Sequence, residues 1–408
     1  MLKKIGLVLG GLFASGCASL MNSGRPKYRG PVVPPVWHNA DVRVSDAPLI
    51  SGGTVYAIAR SWNEERPRLC AFDLKAGKQL WAADFSPDRL LAATENWILA
   101  RDRAGGAWAY DSKTGQKSSL VVAGPVESAI VANHVLYVAG QRGEIRALDE
   151  SAHPLWKTSV PAQTLAAPVF AGGSLYIRGF THVDLLTKDL NGVYALDATT
   201  GALRWKFEVQ DHFHSFGDMT ADADHVFIWE HDTSQSTFGN GVLIALDAAG
   251  GKQKWSQTAL MYTDSPALAG DDVVVMCDYP PDKNTADDAG YMYRGLKRAT
   301  GEKVWEAKTS WKYNAPRFQQ GDLLYVADVK VHEVLTENNN NSPDSWVAAV
   351  DLRTGKEFWR SEVIELGALT PPAVGEGMVV VGSTPFTWTS PARAGKREVS
   401  GLWAWRAR

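Results

Sequence analysis

The sequence predicts an all-β chain, an eight-bladed β-propeller of four-stranded antiparallel blades. Three observations carry the prediction. The stretch ALDATTGALRW (195–205) recurs as AFDLKAGKQLW, ALDAAGGKQKW, GLKRATGEKVW and AVDLRTGKEFW, ending at Trp81, Trp255, Trp305 and Trp359. Each copy follows short β-rich runs separated by turn residues, the composition of strands. The last copy is cut short, and the N-terminus holds an unassigned segment that matches the missing part.

The columns of the repeat are read from the turn. Asp73, Asp111, Asp149, Asp197, Asp247, Lys297, Asp351 and Arg406 start it. Gly77, Gly115, Gly201, Gly251, Gly301 and Gly355 stand four residues on, and Trp81, Trp205, Trp255, Trp305 and Trp359 eight residues on. Trp156 comes one residue early and Ser119 is the degenerate case. Successive turns lie 38 to 55 residues apart, the length of propeller blades with insertions.

Each column has a physical task. The Asp accepts hydrogen bonds from amides two residues on. The Gly supplies a positive φ at no steric cost. The Trp, on the outermost strand, covers the gap to the next blade; burying about 150–250 Å² of ring stabilises by roughly 4–6 kcal/mol at about 25 cal/mol per Å². An upstream signature precedes the second strand in five units, as in Ala47-Pro48 before Val55-Tyr56-Ala57 and Ala167-Pro168 before Leu175-Tyr176-Ile177. No sheet of this size buries both faces alone, so neighbours must do it.

Closure follows from the two ends. GLWAWRAR ends the chain at the strand before the turn, leaving the eighth unit without its outer strand and Trp. Val36-Trp37-His38 stands before the first unit with no blade of its own, and is expected to be that outer strand. The propeller is therefore placed at 36–408, with no open edge.

The start MLKKIGLVLGGLFASGCASL has Lys3 and Lys4 before a short apolar run, too short to span a bilayer of about 30 Å as a helix. Residues 1–16 read as a signal peptide. Ala14-Ser15-Gly16-Cys17 resembles a bacterial lipobox, which implies lipid on Cys17. With Ala18 and Ser19 following, the resemblance implies sorting to the periplasmic face of the outer membrane. The Pro-rich segment 17–35 reads as an extended tether. Cys70 and Cys277, the other cysteines, fall far apart in the repeat and are expected to be buried free thiols.

The net charge of −3 gives no electrostatic reason to expect a nucleic-acid partner. The A-x-D-x-x-T-G-x-x-x-W repeat resembles the pyrroloquinoline-quinone-type propeller repeat. At this length and with a lipobox-like start, the chain most resembles the family of the outer-membrane β-barrel assembly factor BamB. That resemblance implies a non-catalytic scaffold without cofactor, a single copy within a complex, binding envelope proteins. Resemblance to other proteins with the same repeat implies instead a quinoprotein dehydrogenase holding quinone and Ca²⁺. Such enzymes often carry two adjacent Cys, and this chain has neither a Cys-Cys pair nor a C-x-x-C-H haem site.

Insertions at 60–68, 180–191, 230–240, 278–290, 328–345 and 384–400 open onto one end of the ring, where binding is expected. The aromatic residues assigned to that face are Phe213, Phe216, Trp229, Tyr279, Trp311, Tyr313, Trp346 and Trp388, with Trp62 among the neighbouring aromatics. A face of this kind also suits a glycan or an extended peptide. His212, His214 and Asp218, with His182 and His231, are a weak metal pattern because no third ligand is fixed; no metal is expected.

Overall fold

In the computed structural model, the described residues are 30–407 apart from 123, 152, 182–189, 211–213, 233–239, 260–265, 279–291, 309–316, 333–341, 366 and 386–399. Eight antiparallel sheets follow one another along the chain. Blade 4 shows the pattern: Thr164–Leu165 with Val169–Ala171 innermost, then Ser174–Thr181, Leu190–Asp197, and Leu203–Gln210 outermost. The buried apolar residues fall into eight clusters, and each straddles one blade-to-blade seam. Eight blades in an open crescent have seven seams. The eighth cluster joins Val44, Val55 and Phe72 of blade 1 to Val380 and Leu402 of blade 8, so the ring is closed.

The closing strand is the expected one. Trp37–Asn39 pairs antiparallel with Gly401–Arg406, Trp37 opposite Ala404 and His38 opposite Trp403. The Val36 amide donates to the Ala404 carbonyl at 2.7 Å. The His38 ring stacks on Trp403 with centroids 3.4 Å apart. Asn39 Nδ2 donates to the Gly77 carbonyl at 2.8 Å, joining this strand to blade 1.

One boundary of the sequence reading changes. Val32–Val33, inside the segment expected to be tether, pairs in parallel with the outer strand Lys356–Ser361 of blade 7. Arg360 and Glu362 donate their amides to the carbonyls of Pro31 and Val33 at 3.0 and 3.1 Å. The physical reason is the outer edge itself, whose unpaired amides donate to the carbonyls of an extended chain passing beside them. Residues 31–39 thus run across the seam between blades 7 and 8.

The turn chemistry repeats with small variations. Asp197 Oδ1 accepts from the amides of Thr199 and Thr200 at 3.0 and 2.8 Å, and Asp73, Asp247 and Asp351 accept from amides in the same way. Arg204 and then Thr200 hold the Asp197 carboxyl well below the usual range, at about 2. A depressed carboxyl contributes stability above its unfolded value of about 4 and loses it as pH falls through the folded value. Asp197→Asn is accordingly expected to flatten the loss of stability between about pH 4 and about pH 2, read by unfolding at each pH.

The outer-strand tryptophans dock on the next blade's turn. Trp81, Trp156, Trp205 and Trp255 donate Nε1 to the carbonyls of Ser112, Ala198, Ala248 and Arg298 at 3.2, 3.0, 2.8 and 2.7 Å. Trp37 does the same to Leu74 at 2.9 Å, across the closure. Each accepting residue directly follows the turn-initial column. A signal passed over in the sequence, the Tyr of the second strand, reaches the same carbonyl: the Tyr56 and Tyr137 hydroxyls donate to Ser112 and Ala198 at 3.4 and 3.3 Å.

Two departures are informative. Blade 2 has Ser119 in the Trp column, and Trp97 from its second strand supplies the missing bond, Nε1 to the Glu150 carbonyl at 2.6 Å. Trp305 makes no such bond; its Nε1 is buried without a partner, and it stands opposite Gly295 where other blades have Ala. Trp97→Phe is therefore expected to cost about 1 kcal/mol more than Trp305→Phe, the net worth of one hydrogen bond, measured by chemical denaturation.

The turn that carries Lys297 is satisfied internally. Lys297 pairs with Glu302 at 2.6 Å. Arg298 reaches Asp222 of blade 5 at 3.1 Å and the carbonyls of Gly270 and Asp271 of its own blade at 2.6 and 3.2 Å. Cys70 is a buried free thiol, and burial pushes it up to about 11. The Cys277 side chain lies outside the described residues.

Candidate binding face

The antiparallel order puts the Asp–Gly turns at one end of the ring. The connections from second to third strand, and those between blades, leave from the other end. In blades 1 to 3 the first kind are short and described, at 62–67, 102–106 and 141–143. Most of the predicted insertions, and with them Phe213, Tyr279, Trp311, Tyr313 and Trp388, lie outside the described residues. So do Cys17, His182, His212 and the side chain of His214.

The three remaining aromatics of that group do not offer themselves to a partner. Trp229 is fully buried, and Phe216 and Trp346 expose 4% and 5% of their surface. Phe216 packs in the seam between blades 4 and 5 against Tyr176 and Ile228. Trp229 fills the seam between blades 5 and 6 beside Phe227 and Met276. Trp346 lies under the Arg360 guanidinium, 4.7 Å from the ring centroid. Their positions in the strand explain this: side chains alternate between the two faces, both faces of a blade meet neighbours, and a large ring is drawn into the seam.

At the upper end of the seam between blades 4 and 5 the structure opens a cleft of about 460 Å³. Leu165, Arg178, Phe180, Asn191 and His231 line it. The Arg178 guanidinium donates to the Phe216 carbonyl. Burial lowers the Arg178 pKa, and Asp218 opposes that shift. Burial and then Arg178 lower His231, again against Asp218, so the ring favours its neutral form. A Cβ on Gly217 would stand 2.9 Å from His231 Nε2, so the absence of a side chain there leaves the imidazole its place.

Of the weak metal pattern, Asp218 lies near enough to act on the charge of His231, as does Arg178. Among the described residues, no group of three or more His, Cys, Asp or Glu side chains could hold a metal ion. The cleft lining mixes apolar side chains, Leu165 and Phe180, with the polar Arg178, Asn191 and His231. Arg178 and Asn191 were passed over in the sequence because nothing in the repeat distinguishes them; only the meeting of two blades makes them neighbours.

Comparison with known proteins places this geometry. The chain is 29% identical over 223 residues to the quinohemoprotein alcohol dehydrogenase ADH-IIG of Pseudomonas putida, a stretch covering 54% of this chain and 22% of that enzyme. This chain therefore spans under a quarter of the length of that curated relative. Among solved structures, the computationally designed Ika8 protein superposes with a TM-score of 0.59 at 11% identity, covering 93% of this chain and 100% of that one. BamB from Moraxella catarrhalis superposes with a TM-score of 0.54 at 15% identity, covering 91% and 99%. Both similarities concern the fold. The sequence pattern of the family described as outer membrane protein assembly factor BamB matches residues 38–119, 117–187 and 182–323. Those segments run from the closing strand into blade 7 and cover more than half of the chain, which belongs to the BamB family.

Proposed function

We propose that this chain is a non-catalytic scaffold of the bacterial envelope, held by lipid on Cys17 to the periplasmic face of the outer membrane. There it binds envelope proteins on the elaborated end of its ring and serves the assembly of outer-membrane β-barrel proteins. The family match through successive blades carries this reading. The ring supports it physically: a rigid, closed array with one end of short turns presents all its long connections at the other. With the strand at Val32–Val33 docked on blade 7, the fourteen residues 18–31 separate Cys17 from the ring, a reach of about 45 Å at ~3.3 Å per residue.

The experiment is a pull-down of the full chain from solubilised envelopes, with Cys17→Ala alongside. Recovery of outer-membrane assembly components, with the variant released from the membrane pellet, is the expected result. Recovery of none of them counts against the reading.

A quinohemoprotein site makes specific demands on the residues present. Quinone with a divalent cation draws on carboxylate ligands gathered at one place, and among the described residues no three or more His, Cys, Asp or Glu side chains gather so. The adjacent cysteines that resemblance implies are absent from the sequence. The described residues do not fit the group.

A further inference from the structure

Half-buried arginines in this ring have carboxylate partners as a rule. Arg101 pairs with Asp88 at 2.5 Å, Arg146 with Glu144 at 2.6 Å, Arg294 with Glu306 at 2.9 Å and Arg360 with Glu357 at 2.7 Å. In blade 1, Arg68 keeps the rule by pairing with Glu64, but Arg43 and Arg60 depart from it. Arg43, on the innermost strand Val42–Val44, stands directly opposite Arg60 on the second strand Thr54–Ser61. Like charges at opposed positions, with Cβ atoms about 5 Å apart, destabilise a sheet.

Alternation fixes where the two point. Tyr56 and Ile58 pack against Leu90 and Ile98 of blade 2, so Arg60, on the same side of the strand, faces that seam, and Arg43 with it. The Arg43 guanidinium lies over the Trp62 ring, 3.8 Å from its centroid. Trp62 is itself pinned, Nε1 to the Ala40 carbonyl at 2.9 Å. Arg43 Nε is buried with no hydrogen-bond partner. Burial and then the Arg60 charge lower its pKa, and no carboxylate opposes them. Arg60 donates to a backbone carbonyl, that of Glu65, at 3.3 Å. Ser86, on the connection that crosses from blade 1 to blade 2, also has a buried hydroxyl without a partner.

A pair of cations held in place without a counter-charge is an uncompensated cost unless something supplies the charge. We infer that the upper seam between blades 1 and 2, at Arg43, Arg60 and Trp62, is a docking point for a carboxylate on an extended acidic segment of a partner protein. The inference rests on the scaffold reading above and names the chemistry of one partner contact. The guanidinium fork suits a carboxylate in two-point contact. The rim favours single charges: Glu65, whose carbonyl takes the Arg60 bond, is exposed beside the site. Its carboxylate repels a doubly charged phosphate more than a lone carboxylate flanked by neutral or cationic residues.

The test uses the full chain and a fluorescein-labelled peptide of alternating Glu and Ser, followed by fluorescence anisotropy. The matching Gln and Ser peptide is the control, and vesicles of phosphatidylglycerol are the competitor. The wild type is expected to bind the acidic peptide and not its amide counterpart. Arg43→Gln and Arg60→Gln are each expected to weaken binding about tenfold, the worth of a hydrogen bond to a charged group. Arg43→Lys fails to restore it, because a point charge lacks the fork. The melting temperature of Arg43→Gln stays level or rises, since an unpaired charge has gone. Equal binding of the Gln peptide, or unchanged affinity in both Gln variants, overturns the inference. Binding to the vesicles alone also overturns it, in favour of a lipid phosphate. A lowered melting temperature with wild-type affinity assigns Arg43 to packing on Trp62 and likewise overturns it. Should the pull-down recover assembly components while the acidic peptide does not bind, this inference falls and the scaffold reading stands.

Discussion

Deleting residues 30–39 is expected to open the ring and leave a self-associating chain of much lower melting temperature. The segment supplies the outer strand of blade 8, whose partner Gly401–Arg406 would be left as a bare edge. It also supplies Trp37, whose Nε1 bonds Leu74 of blade 1 and whose ring lies against Gly77. Trp37→Ala alone is expected to cost about 3 kcal/mol, the lower end for removing a packed aromatic. The full deletion costs more, because the backbone bonds go with it and the exposed edge invites pairing between copies. Light scattering and thermal unfolding read both effects. A deletion confined to residues 30–34 is the control. It removes only the parallel strand Val32–Val33 from the edge of an already four-stranded blade, so its effect should be small. If the longer deletion leaves size and melting temperature unchanged, closure does not depend on this strand.

Gly201→Ala is expected to be among the most damaging single methyl additions in the chain. Gly201 has φ +73°, a conformation that costs an L residue about 1–2 kcal/mol. A Cβ there would also lie 2.5 Å from Cε3 of Trp156, whose ring is held by the bond to Ala198 and cannot withdraw. Overpacking of this kind adds about 1–3 kcal/mol, for a total of about 2–5 kcal/mol. Gly173→Ala separates the two causes. Gly173 lies in the same blade at φ +71°, with nothing within 4 Å of a Cβ. Its replacement should show the backbone cost alone. Equal losses in the two variants, by chemical denaturation, would mean that the contact between Trp156 and the turn contributes nothing.

The contrast between these glycines shows how legibility was distributed along the chain. Gly201 belongs to a column repeated at fixed spacing from an Asp and a Trp, and the repeat announces all three together. Trp97 belongs to no column. Its replacement of the missing Trp of blade 2 depends on two blades meeting at Glu150. Phe216, Trp229 and Trp346 misled for a related reason. They stand near insertions in the sequence, but a strand side chain near a loop is still directed into a seam, and both sides of every blade are seams. Lys297 broke its column without consequence for the fold, since the turn is held by its backbone bond from Gly301 and by Glu302.

The amino-acid sequence by itself determined the number of blades, the turn chemistry and the strand that closes the ring. Those depend on local spacing: an Asp, a Gly and a Trp at set offsets, and an end that lacks what the beginning holds. Only the tertiary structure decided which side chains share a seam. Arg178 met His231 and Arg43 faced blade 2 because adjacent blades place residues far apart in the chain side by side. Charge and burial at such points are properties of two sheets together, and a pattern written along one strand does not contain them.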